Sequence, residues 1–269
     1  MHLRNIVFIA LLLLVILIAG FKFGVDYVYR SVPNRNFTTG ETLTYRIHYG
    51  LINAAEAVMH VNDKYHYVNG RPCYKIDVYG NTTGLFDIMY RVRDNWGAYV
   101  DTAALVPHRA YRYIEEGRYR KYEVVNFEHP KDLATVINLD KKTKKPEKKG
   151  QFPIPDEVFD MVSGYYYLRT VNFRNLKKND VVTLKGFYVD DVYEIDIKFL
   201  GREQIKTKVG DINALIIAPI LPENDLFEGA NPVKAWISDD LNKVPLKVEA
   251  NLKVGALEID IKEMKNLRN

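Results

Sequence analysis

The sequence predicts a mainly β protein: a curled antiparallel sheet or β-barrel-like roll around one central amphipathic helix, with a membrane or signal helix at the amino terminus. Three observations predict it. Apolar and polar residues alternate along most of the 269 residues, in short runs bounded by Gly, Pro, Asn and Asp. Tyrosine is abundant, with 19 Tyr against 12 Phe and 2 Trp, and it suits strands, where the ring packs while the hydroxyl stays wet. One soluble stretch, Asp156–Arg169, has helical spacing: Val158, Met161, Val162, Tyr165 and Leu168 recur every three or four residues. Pro153 and Pro155 block helix before it, Asp156 can cap it, and Arg169 ends it.

Residues 1–25 form the first segment. Ile6–Phe21 is an unbroken apolar run of 16 residues behind Arg4, the layout of a signal sequence. At about 1.5 Å per residue it spans about 24 Å, and about 30 Å if it continues past Lys22 to Val25. Leu17-Ile18-Ala19-Gly20-Phe21 matches an Ala-x-Ala cleavage site weakly, which favours an uncleaved signal anchor over a cleaved peptide. The membrane is therefore a partner through residues 6–25. The domain lies outside the cytoplasm, held at the inner membrane or exported after cleavage. Residues 26–39, polar and carrying Pro33, read as a juxtamembrane linker.

Residues 40–265 read as a single β-rich domain. Leu43, Tyr45, Ile47 and Tyr49 share one face of the first strand, and Ala55 to Val61 alternate after a turn at Gly50. Asn69-Gly70 turns the chain into Tyr74, Ile76 and Val78. Asn81–Met89 is a short helical or irregular crossover, and Tyr90–Asp101 is a strand containing Trp96. His108–Glu116 and Tyr119–Glu128 flank a turn at Gly117. Asp140–Gly150 carries six lysines and reads as a solvated hairpin tip; attraction to anionic lipid is its sharper reading. Beyond the helix come Asp180–Phe187, Tyr193–Phe199, a strand between Gly201 and Gly210, and the apolar Ile212–Ala218, which suits a centre strand. Val233–Ile237, Val244–Leu252 and Leu257–Ile261 complete about a dozen strands.

Four patches of these residues resemble a bacterial family of exported proteins known as domain of unknown function 3108. They are Phe37-x-x-Gly40-Glu41-x-Leu43-x-Tyr45, Asp160-x-x-Ser163-x-Tyr165 with Leu168-Arg169, Gly201-Arg-Glu203 followed by Gly210, and Trp236-Ile-Ser-Asp-Asp240 with Pro245-Leu-Lys-Val-Glu249. The resemblance covers Phe37 to the end. It implies an envelope protein with a mostly β fold and brings no activity, so no catalytic residue transfers. The closing pattern is also similar to periplasmic lipoprotein carriers, whose curled sheet holds acyl chains beside a helix, a likeness of fold alone.

Composition argues against several classes. A net charge of +4, much of its basic component in one run, is a poor match to a nucleic-acid partner. Cys73 is the single cysteine, so no internal disulfide forms. Six histidines lack metal-binding spacing, although His48 and His60 lie across one hairpin. Ser163 sits in a helix without a nucleophile elbow. Asp190-Asp191 and Asp239-Asp240 read as turn chemistry, and Arg169 as a structural partner for a sheet carboxylate such as Glu41. The sequence thus nominates no catalytic residue, metal or cofactor. It points to a non-enzymatic envelope module that binds a lipid or other amphipathic ligand or an envelope protein, lined by Tyr45, Tyr49, Trp96, Tyr166 and Trp236. The alternative is an envelope hydrolase or glycan-processing enzyme using paired carboxylates, and a pure scaffold would instead show a filled interior.

Overall fold

The structure, a computed structural model, describes residues 27–222 and 227–269. The expected membrane or signal helix at residues 1–25 lies outside them. Among the described residues, no helix is long and apolar enough to cross a membrane.

Fifteen strands form one sheet. The first half of the chain supplies β1 (Thr42–Tyr49), β2 (Ile52–Val68), β3 (Arg71–Thr82), helix α1 (Gly84–Met89), β4 (Arg93–Asp101), β5 (Pro107–Glu116), β6 (Tyr119–Glu128), β7 (Leu133–Leu139) and β8 (Pro146–Pro153). The second half supplies β9 (Val158–Phe159), helix α2 (Met161–Leu168), β10 (Val181–Tyr188), β11 (Asp191–Thr207), β12 (Gly210–Pro219), β13 (Val233–Ser238), β14 (Pro245–Asn251) and β15 (Ala256–Lys265). Strands β1–β8 run as an antiparallel meander outward to one edge, β10–β15 as another inward from the second edge, where β9 adds to β10 in parallel, and the halves join where β1 pairs with β15, from Thr42↔Lys265 to Tyr49↔Leu257. The outer edges are β8 and β9, separated in sequence by residues 154–157 alone. The sheet curls until these edges approach, but it does not close.

Side chains bridge the resulting seam without a backbone ladder. Ala110, Val125, Phe127 and Val136 of the first half share a buried cluster with Val158 and Phe187 of the second. The Phe127 and Phe187 rings meet edge to face at 5.9 Å, a favoured geometry. Helix α2 lies inside the curl. Val162 and Tyr166 pack with Phe37, Ile76 and Val100, while Leu168 packs with Phe173, Phe199 and Leu215. A further cluster of Leu43, Tyr45, Trp236, Leu246 and Ile261 fills the region around the β1–β15 joint.

Three sequence expectations change. The helix begins at Met161, five residues after the expected cap. Asp156-Glu157 is a turn with Glu157 at φ 59°, and Val158-Phe159 pairs with Lys185-Gly186 of β10. Asp160 is the true cap, accepting from the Val162 and Ser163 amides while Ser163 Oγ returns to the Asp160 amide. Met161 is consequently exposed and Ser163, Gly164 and Tyr166 are buried, because the helix touches both halves rather than one. Second, the lysine-rich loop ends at Lys145; Lys148 and Lys149 lie on edge strand β8, where lysines and flanking prolines discourage a further strand from adding. Third, Tyr193–Phe199 and the Gly201–Gly210 segment are one strand, β11, bulged between Phe199 and Gly201.

A tyrosine cluster lies on the outward face of β4–β6, where Tyr111 and Tyr113 stack at 5.3 Å. Gly97 permits this. Tyr111 lies flat over it and donates to Asp77 Oδ1 at 2.5 Å, and any Cβ at Gly97 would overlap the Tyr111 ring. Gly97→Ala is expected to cost about 1–3 kcal/mol by overpacking, read as a lower urea midpoint with unchanged slope.

Candidate functional site at the sheet seam

The five nominated aromatic residues do not share one cavity. Tyr45 and Tyr166 are both buried near the Arg169–Glu41 pair, and desolvation holds their phenols well above the ordinary tyrosine range. Trp236 belongs to the Tyr45 cluster and donates its indole N–H to Glu203 Oε1 at 2.5 Å. Tyr49 sits at the β1–β2 turn, its hydroxyl donating to the Val254 carbonyl. Only Trp96 of the five lines the groove described below.

The Arg169 expectation holds. Arg169 and Glu41 are both fully buried. The Nη1 and Nη2 groups donate to the two Glu41 carboxylate oxygens at 2.6 and 2.8 Å. Nε and Nη2 reach the Asn242 carbonyl, and Nη2 also reaches that of Asn36. Phe37 and Tyr166 present their rings to the guanidinium at 5.3 and 5.1 Å. Helix α2 is thereby tied to the segment Asn36–Glu41 that leads into β1 and to the turn after β13. With both side chains fully buried and the guanidinium donors met from both of these segments, the pair acts as a structural centre.

At the seam a groove opens between β4–β6 on one side and β10 and α2 on the other. Trp96, Arg112, Glu123, Met161, Val162 and Tyr188 are among its lining residues, and its enclosed space is about 40 Å³. That admits a few waters or one carboxyl group and no acyl chain. Arg112 is 6% exposed and donates from Nε to Glu123 Oε1 at 2.7 Å. Lys121 Nζ meets Glu123 Oε2 at 3.1 Å. The Arg112 guanidinium lies 4.7 Å from the Tyr188 ring and 5.7 Å from that of Trp96, and these two rings are parallel to within 3°. Its Nη2 is buried and meets no acceptor within strict hydrogen-bonding geometry, although the Tyr188 side chain lies close enough to interact with the guanidinium. A guanidinium can only donate, so the unmet need is for an acceptor, best an anionic one. Met161, Tyr188 and Val189 at the mouth are exposed.

Asp160 reaches the same groove, and burial pushes its carboxyl up to about 6. Both groove carboxyls are committed, Glu123 to Arg112 and Lys121, and Asp160 to the α2 cap. The groove therefore does not offer the two available acids that the glycan-processing alternative needs.

Two further polar clusters are held internally. Asp101, fully buried, receives Arg71, the Ala103 and Ala104 amides at 2.8 Å each, and His108 Nε2 at 3.1 Å. Those donors hold its carboxyl well below the usual range against the opposing effect of burial. Cys73 pairs with Asp101 across β3 and β4, but it is buried and its thiol is pushed up to about 12, so it is no nucleophile. His48, Glu258 and Asp260 are the one metal-capable trio among the described residues. His48 Nε2 already meets Asp260 at 2.7 Å, its Nδ1 meets the Gly50 carbonyl at 2.9 Å, and Lys247 meets Glu258 at 2.9 Å. The trio reads as an ion-pair network. His48 and His60 occupy opposite ends of the β1–β2 hairpin, opposite Asn53 and Thr42 respectively.

The groove residues other than Trp96 were missed in the sequence. Arg112 and Glu123 are ordinary strand charges until the β5–β6 register places them opposite one another on the inner face. Their one signal was polar residues at positions where the alternation expects apolar ones.

The sequence model of a family described as proteins of unknown function, DUF3108, matches residues 44–262. Among curated proteins, none matches the chain. Among solved structures, a beta-barrel-like protein of domain of unknown function DUF1849 from Brucella abortus superposes with a TM-score of 0.53 at 9% identity, covering 88% of this chain and 99% of that one. A protein described as a lipoprotein from Parabacteroides distasonis shows 11% identity and a TM-score of 0.35, covering 88% and 100%. A protein described as exported, with a YmcC-like fold, from Bacteroides fragilis shows 10% identity and a TM-score of 0.33, covering 89% and 100%. The first supports the curled β fold; the other two are too distant to bear on it.

Proposed function

The chain belongs to the DUF3108 family of proteins of unknown function, a membership that carries no reaction with it, and we propose that it is a non-enzymatic binding module of the cell envelope whose seam groove receives an acidic group of an amphipathic ligand. The observation that carries this reading is the buried Arg112 Nη2, which meets no carboxylate or carbonyl acceptor although the side chain lines a groove with Met161, Tyr188 and Val189 exposed at its mouth. A carboxylate there completes the guanidinium's hydrogen bonds, and the apolar part of the ligand rests on Met161, Tyr188 and Val189. Among the described residues, helix α2 and the buried apolar clusters around it occupy the curl, which argues against a carrier that encloses acyl chains there, so the ligand lies on the seam. The envelope location draws support from the signal-like run Ile6–Phe21.

The test uses Trp96 as reporter, with Trp236→Phe removing the other indole. Dodecanoate is expected to shift Trp96 emission saturably, and dodecanol to bind at least about tenfold more weakly because it lacks the charge-assisted bond. Met161→Glu, at the exposed mouth, should weaken dodecanoate binding without lowering the melting temperature. Equal response to acid and alcohol, or no response to either, would refute the reading.

A further inference from the structure

The antiparallel order sends alternate turns to opposite ends of the sheet. Along one end the order of the strands fixes a continuous arc: the β7–β8 turn, the β5–β6 turn, α1 between β3 and β4, the β1–β2 turn, and the β14–β15 turn. Pairings confirm the adjacency. The Gly117 amide donates to the Arg91 carbonyl, Thr83 to Ala54, and Gly50 to Ala256.

This arc concentrates exposed apolar side chains. Helix α1 has no buried residue, and its Leu85, Ile88 and Met89 are exposed, Ile88 at 84%. Leu51 is wholly exposed and Val254 is 76% exposed. Each is a tip on a separate turn, so together they make a row of projections rather than one flat patch. The β7–β8 turn at one end of the row presents Lys141, Lys142, Lys144 and Lys145, all exposed. Counting Arg91 and Arg118 gives six cationic side chains on these turns, beside Lys253, which is itself engaged, against the carboxylates of Asp140, Glu116 and Asp87. Of those three, Asp140 is engaged by its own turn's amides and Asp87 by Arg93. At the same end, the β12–β13 connection beside the β14–β15 turn has no Lys or Arg and carries Glu228, and the β10–β11 turn carries Asp190 and Asp191, so the basic character belongs to the arc and not to the whole rim.

Apolar tips beside a lysine cluster are the chemistry of a protein that rests on an anionic bilayer: the tips enter the interface and the lysines meet lipid phosphates. We propose that this arc docks on a bilayer surface containing anionic lipid. The chain enters the fold at the opposite end, where Arg30 Nε donates to the Ala104 carbonyl and the Val32 amide to that of Ala103, both in the β4–β5 turn. An anchor formed by residues 6–25 would leave from that end, so the arc addresses a second membrane surface. This inference uses none of the seam-groove residues and stands apart from the ligand reading.

The test keeps the full chain, its amino-terminal segment held in a phosphatidylcholine nanodisc. Ile88→Cys carries an environment-sensitive fluorophore; buried Cys73 stays unlabelled. Adding vesicles of equimolar phosphatidylglycerol and phosphatidylcholine is expected to blue-shift the label and to allow quenching by doxyl lipid in those vesicles. A label at Leu241→Cys, in the β13–β14 turn at the other end, should not respond. Replacing the four lysines of the β7–β8 turn with glutamine should weaken the response by at least about tenfold. The proposal is overturned if the Ile88→Cys label ignores these vesicles, if the glutamine variant responds at the same lipid concentration, or if the Leu241→Cys label responds equally. It is also overturned if the shift appears on raising protein concentration without vesicles, which would assign the arc to a second copy.

Discussion

Arg169→Met is expected to destabilise the protein by ~3–5 kcal/mol, the range for removing one partner of a buried ion pair. The loss comes less from the missing attraction than from what remains. Glu41 is left fully buried without its partner, and the Asn36 and Asn242 carbonyls lose their donor. For a chain of this size the melting temperature should fall on the order of 10 °C, measured by calorimetry at neutral pH. Adding Glu41→Leu should recover part of the loss, because a buried pair replaced by apolar groups on both sides no longer strands a charge. An unchanged melting temperature in the single variant would contradict the structural assignment and make Arg169 a ligand residue.

Asp101→Asn is expected to cost a similar ~3–5 kcal/mol at neutral pH and to reshape the acid side of the stability curve. The Asp101 carboxyl is held below its ordinary value by Arg71, His108 and two amides. Its contribution is therefore complete above about pH 4 and is lost as the pH falls toward the folded value. His129 is shifted down by burial, so its contribution is present above about pH 6.5 and declines below it as the unfolded chain takes up the proton first. Asp160 works in the opposite sense. With its carboxyl pushed up to about 6, it favours the fold most at low pH and loses that contribution as pH rises from about 4 to 6. Wild-type stability measured by urea titration should thus change gently between pH 6.5 and 4, where His129 and Asp160 oppose each other, and fall more steeply below pH 4. Asp101→Asn should lose the steep part and keep the gentle one. A variant with the wild-type acid limb would show that other carboxylates set it.

Where apolar alternation was regular, the strands were legible in the sequence. Leu43–Tyr49, Tyr74–Val78 and Leu257–Ile261 fall within strands, and Ile212–Ala218 is the doubly paired strand its composition suggested. The partnership of Arg169 with Glu41 was legible too, since an arginine ending an apolar helix face needs a buried acid. The helix start was not. Asp156 and Asp160 are both plausible caps, and the choice depends on Val158-Phe159 being drawn into β10, a pairing no local pattern reveals. The seam groove was hidden for the same reason. Arg112 and Glu123 face each other across one hairpin, but Tyr188 comes from a strand far along the chain, and only the curl of the whole sheet brings it over Arg112. The aromatic nominations followed residue type, which cannot tell a packed ring such as Tyr166 from one at a groove such as Trp96.

The joint between β1 and β15 has a consequence for the order in which the molecule is assembled. Read from β9 through β15 and on from β1 to β8, the sheet is a succession of nearest neighbours. The natural chain is that succession cyclically shifted: its break falls within the sheet's interior, and its covalent continuity runs through residues 154–157, where the ladder is open. Folding must therefore close a loop of about 220 residues to seat Thr42 against Lys265, at an entropic cost of about 5 kcal/mol. Until that happens, β1 is an unpaired edge available to any passing strand. A circularly permuted chain opened between Pro153 and Val158 and linked near Arg35 and Asn269, which already share a hydrogen bond of 2.9 Å, would have no such wait.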